Sequence, residues 1–295
     1  MPEGTIIKGI GGFYYVKTDS GIIECRARGK FRKDETIPLV GDRVVIKISE
    51  LDPFTGSVVQ ILPRSTQLIR PPVANVNQLL VVLAVRSPEP NLLLVDKFLI
   101  AAESKRLDII VCINKIDLDA DKKEYMNLYN IYQSAGYRVI GTSCKTREGI
   151  AELRNLLKNK ITAFAGVSGV GKSSLLNAID SRFTLQTGDI SKKIERGKHT
   201  TRHVELLELE NEGYVVDTPG FSSFELTEVK ATELQYYFRE FEPYIPYCRF
   251  NGCSHTVEPG CAVLEALKNG DIVPSRHQSY VQFYNRLKDI KEWKK

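Results

Sequence analysis

The run Gly166-Val167-Ser168-Gly169-Val170-Gly171-Lys172-Ser173 has the form G-x-x-x-x-G-K-[ST], with the apolar stretch ITAFA before it and the helical pattern GKSSLLNAI opening within it. Glycines let several backbone N–H groups converge on phosphate oxygens, and the start of a helix adds positive potential at the same point. In that frame Gly166 through Ser174 cradle the phosphates, Lys172 reaches the terminal ones and Ser173 ligates Mg2+. A glycine-rich loop without a ligand is the bland alternative, and the strand-loop-helix context weighs against it.

A phosphate cradle does not name the base. Asn114-Lys115-Ile116-Asp117 follows the apolar run DIIVCI and has the form N-K-x-D. The Asp117 carboxylate can accept from both N1–H and the exocyclic amine of guanine, whereas adenine presents an acceptor at N1. Guanine is the expected base, and GTP and GDP the expected ligands. Thr142-Ser143-Cys144-Lys145, after YRVIG, is similar to the Ser-Ala-Lys loop that closes over guanine, with Cys144 in place of alanine. Ser143, Cys144 and Lys145 are therefore assigned to the same site.

Asp217-Thr218-Pro219-Gly220 closes the apolar run YVVD and offers an Asp near Mg2+ and a glycine N–H that can sense the γ-phosphate. Upstream, RGKHTTRH at 196–203 supplies Thr200 and Thr201; Thr201 is the expected Mg2+ ligand that engages only with a γ-phosphate present. The catalytic set is then Lys172, Thr201 and Gly220. Phe221 stands where many GTPases carry a water-orienting Gln, so intrinsic hydrolysis should be slow, with His199 the candidate for positioning water. These elements are encoded as N-K-x-D, S-C-K, phosphate loop, threonine switch, D-T-P-G, a cyclic rotation of the common order. A sheet whose ends lie close together can be joined there and cut elsewhere without moving its side chains.

Cys248-x4-Cys253-x-His255-x5-Cys261 supplies three thiolates and one imidazole, enough for a closed, structural tetrahedral Zn2+ site. Such a metal would staple a small unit with little core of its own.

The elements that must position these residues fall into three segments, 1–68, 69–224 and 225–295. The first has short β-rich runs separated by turn residues and reads as an OB-type barrel, with an SH3-like barrel as alternative. Arg26, Arg28, Lys30, Arg32 and Lys33 near Phe31 suit contact with single-stranded nucleic acid. After the linker IRPPVANVNQ, apolar runs alternate with helical patterns, which implies α/β architecture and a mainly parallel sheet with functional loops after strands. The last segment reads as helical and aromatic over TELQYYFREFEPY, then Cys-rich, then as a basic helix from 275 that could face RNA phosphates.

Net charge is +5 over 295 residues, but Lys and Arg cluster: 11 against 8 acidic residues over 1–70, 6 against 3 over 182–205, and 6 against 2 over 275–295. Three basic clusters favour a polyanionic partner such as RNA. No apolar run reaches the roughly 20 residues that span a bilayer, and no secretory signal opens the chain. The expectation is a cytoplasmic monomer without membrane attachment.

Taken together, the rotated motif order, GVSGVGKSSLLNA, RGKHTTRHVEL, DTPGFSSFEL, the cysteine cluster and the barrel before them resemble the circularly permuted GTPases of small ribosomal subunit maturation, the RsgA or YjeQ family. That resemblance covers nearly the whole chain. It implies GTP hydrolysis stimulated by the small (30S) subunit, binding to its rRNA near the decoding region, and a zinc-bearing C-terminal domain. A nucleotide-regulated RNA-binding module with negligible catalysis is the competing reading, and an ATPase the third.

Overall fold

The structure is a computed structural model that describes residues 1–27, 31, 37–69, 71–183, 204–217, 226 and 229–289, with the Asp217 side chain outside that description. In chain order the elements are β1 (Glu3–Ile10), β2 (Phe13–Thr18), β3 (Gly21–Ala27), β4 (Arg43–Ile48), β5 (Thr55–Ile61), β6 (Gln67–Leu68), β7 (Val73–Ala74) and β8 (Gln78–Ala84). There follow α1 (Leu92–Ser104), β9 (Asp108–Asn114), α2 (Lys123–Ser134), β10 (Arg138–Thr142), α3 (Ile150–Leu156), β11 (Ile161–Ala165) and α4 (Lys172–Ile179). The chain continues with β12 (Glu205–Glu208), β13 (Tyr214–Asp217), α5 (Ala262–Asn269) and α6 (Pro274–Lys288). They pack as two compact units, one of 1–79, 151–164 and 173–223, the other of 80–150, 165–172 and 224–295.

In the first unit β1 pairs with β2 and β4, β2 with β3, β3 in parallel with β5, and β5 with β4. Five strands thus close in the order 1-2-3-5-4, an OB-type barrel. Ile6, Val16, Ile23, Cys25, Val44, Ile46 and Val58 fill it from alternate positions of their strands. The barrel is not a detached module: Lys8 of β1 pairs with Glu205 of β12, and their side chains form an ion pair at 3.0 Å. β12 in turn pairs antiparallel with β13, and β13 parallel with β11. The stretch expected to be a linker, 69–78, carries strand β7, which pairs with β6 just before it in register Gln67 with Ala74.

In the second unit β9 and β10 run parallel, Asn114 opposite Thr142. Every residue of β8 is buried, the burial expected of a strand covered on both faces. Helix α1 starts where Asn91 accepts a hydrogen bond from the Leu94 N–H at 3.0 Å, and it buries Val95, Phe98, Leu99 and Ile100.

Two readings of the C-terminal segment need correction. The stretch expected to be helical, 232–244, forms two short 3-10 turns, Leu234–Tyr237 and Arg239–Phe241, and a third, Ile245–Tyr247, follows directly after it. Phe238 between the first two is extended (φ −114, ψ 93), which breaks a continuous helix while still sending Leu234, Phe238 and Phe241 into the core. The second concerns the basic helix: α6 does not offer Arg276 to a partner. That side chain is 1% exposed, bonded through Nε to Glu240 at 2.7 Å and through Nη1 to Asp96. Arg286 and Lys288 in its last turn remain exposed.

Candidate guanine nucleotide site and metal centre

The phosphate loop leaves β11 at Gly166 and enters α4 at Lys172. Three of its glycines hold positive φ: Gly166 at 145, Gly169 at 83 and Gly171 at 98. Two are also fixed by crowding. A Cβ on Gly166 would stand 2.2 Å from the Val82 carbonyl oxygen, and one on Gly171 would stand 2.4 Å from Asn114 Nδ2. Alanine at either position forces backbone strain and a clash together.

Lys172 turns back over this loop, donating from Nζ to the carbonyls of Gly166 at 2.7 Å and Val167 at 2.9 Å. Burial brings its ammonium down to about 8. An arriving phosphate would supply the negative charge that this partly buried cation lacks.

The N-K-x-D element meets that loop directly. Asn114 donates from Nδ2 to the Val170 carbonyl at 2.8 Å and accepts from Thr142 Oγ1 at 3.0 Å. Lys115, in left-handed backbone conformation, donates from Nζ to the Gly169 carbonyl at 2.7 Å and to the Ser87 carbonyl. Asp117 accepts from Ser143 Oγ at 2.6 Å through one carboxylate oxygen. Ser143 is itself held, its N–H donating to the Glu148 carbonyl at 3.0 Å and its hydroxyl accepting from Thr146 N–H at 3.1 Å. Asp117 is thereby oriented by the loop that carries Cys144 and Lys145. Burial raises the Cys144 thiol, which stays neutral near neutral pH.

Asn114, Lys115, Asp117, Ser143, Gly166, Val167, Gly169, Val170 and Lys172 are thus joined by direct hydrogen bonds or shared backbone. Ser173 and Ser174 open α4, and Ser173 is buried. His199, Thr201, Gly220, Phe221 and the Asp217 carboxylate lie outside the described residues. Sequence reasoning missed the Ser87 carbonyl and the Glu148 carbonyl, since backbone acceptors carry no sequence signature.

The Cys248, Cys253, His255 and Cys261 ligand atoms all lie within 4.8 Å of one another. Cys248 Sγ is 3.9 Å from Cys261 Sγ, and His255 Nδ1 is 3.6 Å from Cys248 Sγ and 3.3 Å from Cys261 Sγ. Four donors about 2.0–2.3 Å from one tetrahedral ion stand roughly 3.3–3.8 Å apart, so the donor set and its size fit Zn2+. His255 Nε2 donates to Gln235 Oε1 at 2.8 Å, which leaves Nδ1 unprotonated toward the sulfurs. Burial lowers His255 and raises Cys253 and Cys261, so the imidazole is neutral and the thiolates require a cation beside them. Gln235 and His277, which donates from Nε2 to the His255 carbonyl at 2.8 Å, were not legible from spacing.

The barrel fused to an α/β core in which a guanine-type loop abuts a phosphate loop encoded after it defines a circularly permuted P-loop GTPase. The family described as RsgA GTPase matches residues 61–227, and the RsgA N-terminal domain matches 3–52. The chain belongs to the RsgA GTPase family. It is 51% identical over 296 residues to the small ribosomal subunit biogenesis GTPase RsgA of Ruminiclostridium cellulolyticum, covering 100% of this chain and 96% of that one. It is 50% identical to the relative of the same name from Caldanaerobacter subterraneus subsp. tengcongensis, over 99% of this chain and 97% of that one. Among solved structures, YjeQ from Thermotoga maritima is 39% identical with a TM-score of 0.86, covering 98% and 99% of the two chains. YloQ, described as a circularly permuted GTPase, is 38% identical with a TM-score of 0.82, covering 98% and 96%.

Proposed function

We propose that this chain hydrolyses GTP as a late maturation checkpoint for the small ribosomal subunit, binding that subunit and its rRNA and leaving after hydrolysis. The observation that carries the reading is the pair of bonds from Asn114 and Lys115 to the carbonyls of Val170 and Gly169, at 2.8 and 2.7 Å. They hold a guanine-reading loop against a phosphate loop in a chain whose full-length relatives are named small ribosomal subunit biogenesis GTPase.

In this reading Asp117 takes the guanine edge, with Asn114 and Lys115 bracing the loop and Ser143, Cys144 and Lys145 closing over the ring. The backbone from Gly166 to Ser174 and the Lys172 ammonium hold the phosphates. Ser173, Thr201 and Asp217 would hold Mg2+, which would supply neutralisation of the phosphate charge. Gly220 senses the γ-phosphate, and His199 orients water. Cys248, Cys253, His255 and Cys261 hold one structural Zn2+. The segments 1–68, 69–224 and 225–295 act as barrel, GTPase and zinc modules of a cytoplasmic monomer. Arg26, exposed and stacked 4.5 Å over the Phe13 ring, offers the barrel's face to rRNA.

GTP turnover measured alone, with purified small subunits and with large subunits tests this directly. The reading expects slow intrinsic turnover and stimulation by small subunits alone. A near-zero rate indifferent to the small subunit would instead support the non-catalytic RNA-binding module.

A further inference from the structure

The C-terminal segment grips α1 at two places. Near its start, Asp96 accepts from Arg276 Nη1 in a setting where both side chains are 1% exposed. Glu240 takes the Nε/Nη2 edge of the same guanidinium, at 2.7 Å to Nε and 3.2 Å to Nη2, and the Phe238 ring lies 4.6 Å from its Cζ. At the far end of α1, Arg239 Nε donates to Glu103 Oε1, and this pair is more open, at 37% and 16% exposed.

The turn of α1 that carries Asp96 also underlies the phosphate loop. Leu94 and Val95 line a narrow cavity with Val167, Val170, Pro88 and Asn91. The strap 86–91 enters α1 through the Asn91 cap, and its Ser87 carbonyl shares the Lys115 ammonium with the Gly169 carbonyl. Arg276 therefore clamps the helix turn against which the phosphate loop and its strap are packed. Close-packed interiors transmit displacement of such a turn to whatever it touches.

From this geometry we infer that Arg276 and Asp96 are positioning residues for the nucleotide site, acting through α1 on the phosphate loop. The inference rests on the guanine nucleotide reading above. It makes the zinc-bearing segment part of the machinery that sets nucleotide affinity, by a route that does not pass through the D-T-P-G switch. Glu103 marks the contrast, since it anchors the same segment where α1 is remote in sequence from the strap.

The test uses the full chain and a fluorescent GDP, comparing wild type, Asp96→Asn, Arg276→Lys and Glu103→Gln at a temperature well below every thermal midpoint. Asp96→Asn keeps the shape and removes the charge; Arg276→Lys keeps the charge and removes the fork. Both are expected to speed GDP release about twofold to thirtyfold, the range of distal couplings. Glu103→Gln should lower the midpoint while leaving the release rate at the wild-type value. Equal acceleration by Glu103→Gln, or unchanged release in a folded Asp96→Asn or Arg276→Lys variant, overturns the inference. If Asp96→Asn does not fold, Arg276→Lys alone decides it. A wild-type chain that does not bind the nucleotide overturns the underlying reading, and this inference with it.

Discussion

Asn114 donates to the carbonyl oxygen of Val170 at 2.8 Å, across 56 positions of sequence and in a fully buried setting. This bond ties the end of β9 to the crown of the phosphate loop. It also explains why the rotated order of motifs does no harm: the contact depends on the strands' carboxyl ends, not on which strand is encoded first.

Asn114→Ala should therefore damage both stability and binding. It leaves the Val170 carbonyl without this partner, and a buried orphan costs about 1–3 kcal/mol, while the Thr142 hydroxyl keeps its contact with Cys112 Sγ at 3.2 Å. Urea unfolding should show a loss of about 1–3 kcal/mol, together with weaker GTP binding. A variant with wild-type stability and affinity would remove the joint from the account.

Lys172 predicts a pH dependence of known sign. Its ammonium titrates at about 8 in the free protein, and the triphosphate favours the charged form, so its pKa must rise on binding. Affinity is then flat below the free value and falls with increasing pH between the free and bound values, by up to about tenfold per unit. Isothermal titration with GTP from about pH 7 to about pH 9 should show that fall, and Lys172→Ala should abolish it. An affinity that holds level across the range contradicts the burial of this charge.

How much of this was legible in the chain varied with the kind of constraint. Lys172, Asp117 and the cysteine cluster stand out because the chemistry proposed for them, of phosphate, guanine and zinc, would demand fixed residue types at fixed spacing. Gln235 sits 20 positions from His255, and nothing about a lone glutamine in an aromatic stretch signals a role. Arg276 read as a member of a basic surface cluster because its counter-charges, Asp96 and Glu240, arrive from two other parts of the chain. Leu234, Phe238 and Phe241 recur at helical spacing, yet tight turns satisfy the same burial. The barrel was visible as strands, but its annexation of β12 through Lys8 and Glu205 was not, since edge pairing leaves no pattern in either strand.

The metal centre makes a separate prediction. Metal analysis of the purified chain should find one zinc, lost in Cys253→Ser with a lowered thermal midpoint. Gln235→Leu keeps all four donors but frees the His255 ring, and should weaken zinc affinity about tenfold to a hundredfold. Melting that is the same with and without the metal would contradict its structural role.

The central claim is that Asp117 and Lys172 serve one guanine nucleotide, and base exchange at Asp117 tests it most directly. Titrating wild type and Asp117→Asn with GTP and XTP should show GTP affinity falling roughly a hundredfold, from two lost charge-assisted bonds, while XTP affinity rises above it. Preference for GTP persisting unchanged in a folded Asp117→Asn chain would contradict the account.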